Sequence, residues 1–289
     1  MNNMLRMKYW AMMIPVLLIT IWSSICGAAP AVPAEITDYK TFVTQAYEKL
    51  HAQDNYHMTI NTTGSMSIQG NKMDIMVSGE CDAQTKPMVI KNVMNISLAN
   101  ASQKNEQKVI QYIEESKDQL TVYTNADNHW IKQSMPYYNP IDEYANYSQA
   151  IIGVELIGET AGSQVFSVTM DGSYLRKNIE QAIVSSGMKN IKLPESLFNG
   201  LGNFTYTVTI DKKTATISKM DMDMSGFLAA VGENIANLQE IPSGQKAAIR
   251  EMFNQARLNT TVTFSKFNQV DKIVIPPEVK RDSLPTKYI

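Results

Sequence analysis

The stretch FTYTVTIDKKTATISKMDMDMSG, residues 204–226, alternates apolar and polar side chains, breaks at DKKT and then alternates again. Phe204, Tyr206, Val208 and Ile210 share one parity, and Thr205, Thr207 and Thr209 share the other. That is a strand with one buried and one wet face. Beyond the turn, Met220, Met222 and Met224 take the apolar slots and Asp221 and Asp223 the polar ones. Ile217 has the opposite parity to the methionines. Strand side chains repeat every two residues, so both sets reach one face only through a bulge near Ser218–Lys219. Otherwise Ile217 faces the other side of the sheet.

The same period runs through the first third of the chain. Tyr56, Met58, Ile60, Met66 and Ile68 share a phase, then Met73, Ile75, Val77, Gly79 and Cys81 after a turn at QGNK, then Met88, Ile90, Met94, Ile96 and Leu98. Shorter strands are expected near 108–115, 119–124, 129–133, 154–158 and 165–170, with ETAGS turning the last pair. The closing LNTTVTFSKFNQVDKIVIPPEV reads as two strands joined at Asn268. Helical spacing marks 36–52 through Tyr39, Phe42, Val43, Ala46 and Leu50, and a helix from Ser173 to about Gly187. Two more carry Phe227, Leu228, Val231, Ile235 and Leu238, then Ala247, Ile249, Met252, Phe253 and Ala256. A short helix is expected near 141–152. Long strands in a meander must coil, which predicts an α+β fold: a strongly curved antiparallel sheet of about nine to eleven strands with helices on one side.

Residues 1–34 hold Arg6 and Lys8, no acid, an apolar run from Trp10 to Trp22 and then small residues, the layout of a secretory signal peptide. Cleavage is expected after Ala28 or Ala34, leaving 35–289 as a single exported domain. Cys26 raises lipid anchoring, but Ile25 stands where a small residue is needed. Cys81 is then the sole thiol, expected buried and inert. The whole chain carries a net charge of −2, which offers no basic face for nucleic acid.

No nucleophile elbow, phosphate loop, zinc cluster or dinucleotide fingerprint occurs, so no enzyme, cofactor or metal is expected. His51, His57 and His129 lie far apart and read as solvated surface residues. Of the 18 methionines, most in the body of the chain fall on the apolar phase of strands, with no His or Cys near the Met220 group to complete a soft-metal site. Methionine fills irregular gaps and lines adaptable surfaces, so core and pliable pocket both remain open.

The signal layout, the amphipathic helix, the long meander, the residue 205–226 hairpin and the closing FNQVDKIVIPPEV together resemble the LolA/LppX-type lipoprotein-carrier superfamily, in an uncharacterised exported bacterial branch. The resemblance implies a half-barrel whose concave face is covered by helices, with an apolar cavity between them and no catalytic residues. It implies a carrier or sensor of a lipid or acylated protein in the periplasm or cell envelope, with peripheral membrane contact. The expected cavity lining is Tyr56, Met58, Ile60, Met73, Ile75, Met94, Ile96, Phe204, Tyr206, Val208, Met220, Met222 and Met224, with Phe227, Val231, Ile249 and Phe253 on the covering helices. The alternative is an envelope structural or interaction module with a filled core and no ligand.

Overall fold

Alternation of apolar and polar residues over 13 to 15 positions makes the first strands unusually long. The structure, a computed structural model, describes residues 38–68, 71–117, 119–126, 129–136, 150–172, 200–238 and 241–285. Its strands are β1 (Asn55–Ile68), β2 (Asn71–Thr85), β3 (Met88–Asn100), β4 (Lys104–Ser116), β5 (Gln119–Ala126), β6 (His129–Pro136), β7 (Ile151–Glu159), β8 (Ser163–Met170), β9 (Phe204–Asp211), β10 (Ile217–Asp223), β11 (Arg257–Ser265) and β12 (Leu284–Pro285). They form one curved, unclosed sheet in the order β12-β6-β5-β4-β3-β2-β1-β11-β10-β9-β8-β7. Every pairing is antiparallel except that of β12 with β6. The sheet has 12 strands rather than nine to eleven, and β4 is longer than expected.

The hairpin of residues 204–226 forms as its pattern requires. Asp211 closes the turn by accepting from the Thr214 backbone N–H and hydroxyl, both at 2.8 Å. The register then shifts between Ile217 and Lys219, which is the expected bulge. Because of it, Ile217 and Met220 are both buried and face the same side.

Helix α1 (Tyr39–Ala52) starts at Asp38, whose carboxylate accepts from the Lys40 N–H at 3.0 Å. Its stripe of Val43, Ala46, Tyr47 and Leu50 is buried. Tyr39 and Phe42 each tilt onto Phe166 of β8 with centroids 5.6 Å apart, and the Tyr47 hydroxyl bonds that of Tyr206 on β9 at 2.9 Å. Burying each large apolar side chain contributes roughly 1.5–3 kcal/mol. His51 lies in the last turn of α1 and is 2 % exposed, not a surface residue; its helix turns it inward beside Leu50. Burial pushes its pKa down to about 3, so it sits in the core as neutral imidazole.

Helices α2 (Ser225–Asn237) and α3 (Ser243–Gln255) form an antiparallel pair. Asp223 accepts from the Ser225 N–H at 2.9 Å where α2 begins, and Met224, just past the end of β10, is its N-cap residue. Gly232 lets α3 approach: a Cβ there would lie 2.1 Å from Phe253 Cβ. Glu233 pairs with Arg250 at 2.8 Å, and Arg250 also donates to Asn237 at 2.7 Å.

The chain end departs from expectation. The segment after Asn268 does not pair back as a strand; residues 266–276 cross the outer side of β1 and β2, and only Leu284–Pro285 returns to the sheet, beside β6. Asn268, at φ 56°, accepts from the Asp54 N–H at 2.8 Å. The N–H groups of Val270 and Ile273 donate to the side chains of Asn55 (2.7 Å) and Gln84 (2.8 Å), not to a strand ladder. Pro276 and Pro277 have no N–H to offer a ladder. Ile275 and Val279, the latter in the short α4 (Pro277–Asp282), then pack on Tyr112 and Tyr123. The expected helix near 141–152 lies outside the described residues up to 149, and Ile151 and Ile152 already belong to β7. The helix expected from Ser173 lies outside the described residues.

Two outcomes follow from this packing. His51 is protonated in the unfolded chain below about pH 6.5 but excluded from protonation in the fold down to about 3. Stability therefore falls as pH falls through that window, by up to about 1.4 kcal/mol per pH unit. Urea unfolding at pH 7, 5.5 and 4.5 should show the decline, and His51→Gln should flatten it. Gly232→Ala should destabilise by about 1–3 kcal/mol through overpacking against Phe253, although alanine in an open helix would gain about 1 kcal/mol. Thermal unfolding decides the sign.

Candidate functional site

The register sorts the expected lining residues into rows on one face. Met220 lies opposite Val208 on one side and Val262 on the other, and Val262 lies opposite Ile60. Met222 lies opposite Tyr206 and Thr260, and Thr62, Val77 and Ile96 continue that row. Under α1 this face is filled. Tyr56, Met58, Phe204, Tyr206, Val208, Met220 and Met224 are buried in one cluster with Val43, Tyr47 and Leu50. The Met220 sulfur lies 3.9 Å from the Tyr47 hydroxyl. These residues are core.

Toward α2 and α3 the packing loosens. Ile75 and Met94 are buried, but Ile60, Met73, Ile96 and Met222 are only half-buried. Phe227 and Val231 on α2, and Ile249 and Phe253 on α3, are half-buried as well, and α3 has no buried residue at all. Met66, Ile75, Val77 and Ala256 form a separate small cluster here, with Met73, Ile96, Leu98 and Leu228 against it. The structure thus divides the expected lining residues into a fully buried set and a half-buried apolar set.

Polar groups on this inward face are almost all neutral. Thr62 and Thr260 are buried with hydroxyls 2.9 Å apart. Asn92 on β3 donates to Gln111 on β4 at 3.2 Å, and Gln111 donates to Thr124 on β5 at 3.2 Å. This row continues from Met58 and Cys81, yet its three side chains are half-buried. No Lys or Arg occupies an inward position on a described strand. The inward carboxylates are Glu115, which accepts from the Met88 N–H at 3.0 Å, and Glu159, paired with Lys212 at the edge strand.

Elsewhere, Cys81 is buried, and burial pushes its thiol up so that it stays protonated. His57 lies half-buried on the outward face with Nδ1 2.7 Å from Asp82 Oδ1, so it is not simply solvated. His129 is exposed. Among the described residues no three His, Cys, Asp or Glu side chains gather as metal ligands. Lys219 and Thr261 engage Asp221 at 2.8 and 2.6 Å. A depression of about 520 Å³ lies at the long strands, lined mainly by outward residues such as Asn61, Met76, Ser78, Asn95 and Lys108. Of the expected lining residues only Ile96 borders it, so it is distinct from the apolar surface. No helix among the described residues is long and apolar enough to cross a membrane.

Asn92, Gln111 and Thr124 are absent from the sequence-based lining. The signal was there in part: the apolar phase of β3 runs Met88, Ile90, Met94, Ile96 and is interrupted at Asn92. No curated protein matches the chain. A family model described as a family of unknown function (DUF6612) matches residues 38–283, and the chain belongs to that family.

Proposed function

We propose that this chain is an exported, non-enzymatic carrier or sensor of a hydrophobic ligand, a lipid or a lipoprotein acyl chain, acting in the cell envelope. In this reading residues 1–34 serve as the signal peptide, and the curved sheet is a half-barrel of the LolA/LppX type with helices over its concave face. The observation that carries it is the half-buried apolar surface of Ile60, Met73, Ile96 and Met222, of which Met73 and Ile96 pack on the small cluster that holds Ala256 and meets Leu228 of α2. A face built only as core would bury these side chains as completely as Met58 and Met220, at 6 % and 1 % exposure. Loosely seated helices are also what a lid requires, since elements with few buried contacts open at low cost. Methionine suits such a wall, because its unbranched thioether adapts to ligands of different shape. Binding draws on apolar burial at roughly 25 cal/mol per Å², less the cost of ordering the chain and the lid.

One observation favours the second reading, an envelope interaction module without a ligand: Tyr56, Phe204, Tyr206 and Val208 leave no room beneath α1. The carrier reading therefore places its ligand away from α1, along the half-buried rows.

Mass spectrometry under non-denaturing conditions, on protein taken from its native envelope, should show bound lipid. A clean apo mass would favour the ligand-free module. Met222→Asp should lower lipid occupancy by about tenfold or more while the protein still folds, because Met222 is half-buried and a carboxylate there opposes apolar contact. Met220→Asp, at a fully packed position, should prevent folding altogether.

A further inference from the structure

A polar row on an otherwise apolar face requires a cause. Asn92, Gln111 and Thr124 stand opposite one another on β3, β4 and β5, flanked on one side by Ile90, Ile113 and Val122 and on the other by Met94 and Val109. Two amides and a hydroxyl are costly to bury beside hydrocarbon unless they bond to something. They bond to one another in one direction only: Asn92 donates to Gln111 and Gln111 to Thr124. Such a chain leaves defined ends. The Asn92 carbonyl oxygen remains an acceptor at one end and the Thr124 hydroxyl proton a donor at the other. Each amide nitrogen keeps a second proton, and the three half-buried side chains stand one or two rows from Ile60, Met94 and Ile96.

The charge of the surroundings is equally telling. No inward position on the described strands carries Lys or Arg, and the inward carboxylate on β4, Glu115, stands two rows from Gln111. An ionised carboxylate set against these described strands would lose its water without gaining a counter-charge from them. An ester carbonyl or an alcohol would find both donors and acceptors at no such cost.

We propose that Asn92, Gln111 and Thr124 form the polar subsite of the apolar site and select an uncharged amphiphile, an acyl ester or alcohol, over a fatty-acid anion. This inference rests on the carrier reading and adds the ligand's head-group chemistry to it. The hydrocarbon lies along Ile60, Met94 and Ile96 toward α2 and α3, and the neutral head group bonds to the row.

Delipidated full-length protein, mixed at pH 7.5 with equal amounts of monomyristoylglycerol and myristate, tests it by native mass spectrometry. The two probes share one acyl chain and differ in head-group charge. The ester should be retained at least about tenfold more than the anion, the worth of one to two hydrogen bonds. Thr124→Val and Gln111→Leu should each remove most of that preference while myristate binding stays level or rises. Thr124→Val keeps the side-chain shape, so it reads the subsite even if Gln111→Leu fails to fold. Equal or stronger retention of myristate would overturn the subsite and leave the carrier reading standing. A preference unchanged in Thr124→Val would overturn the assignment to this row. Retention of neither probe would overturn both.

Discussion

Between Ile217 and Lys219, β10 carries one residue more than β9. Because side chains alternate across a strand, that extra residue decides which face receives Met220 and Met222. With it, Ile217 and Met220 both turn inward, and Met220 meets the Tyr47 hydroxyl while Tyr206 beside it takes the Tyr47 hydrogen bond. Without it, Lys219 would point at α1, and burying an ammonium against Tyr47 and Leu50 would cost more than the helix gains by docking. Docking of the first helix onto the second half of the sheet thus depends on a local irregularity some 170 residues away, as the 173-residue separation of Tyr47 and Met220 records.

Once that phase is set, the inward face acquires two qualities. Beneath α1, aromatic and branched residues interlock at close to zero exposure, as Phe166, Ile210 and Ile217 do. Beneath α2 and α3 the same face is lined by side chains that remain partly accessible, and α3 is anchored through Gly232–Phe253 and Arg250 contacts with α2 more than through the sheet. Closer packing there would raise stability. The inward face is thus sealed in one part and half-buried in another, where Met73 and Met222 lie.

Much of this was legible in the residues. Alternation identified the long strands because each has one wet face, and the parity conflict at Ile217 located the bulge. The last segment was not legible, since IVIP alternates as a strand does. Its backbone donors are taken by Asn55 and Gln84, side chains more than 180 residues earlier that no local pattern connects to it. His51 misled for a similar reason: a polar residue at a helix end is ordinarily wet, and only docking against the sheet turns it inward. The inward face could be listed from parity alone. Which of its members are sealed depends on where the helices sit, and the Asn92 row appears only once three strands are set in register.

The pairing of β1 with β11 also orders events in time. The centre of the sheet joins positions 198 and 204 residues apart, such as Thr62 with Thr260 and Thr59 with Thr263. Until β11 is available, β1 and β10 each present an open edge, and such edges invite pairing with foreign strands. Long-range closure of this kind is slow, because loop entropy is lost before the contacts repay it. The two parts of the sheet therefore stay unsealed until β11 zips between them and residues 266–276 strap the outer side of β1 and β2.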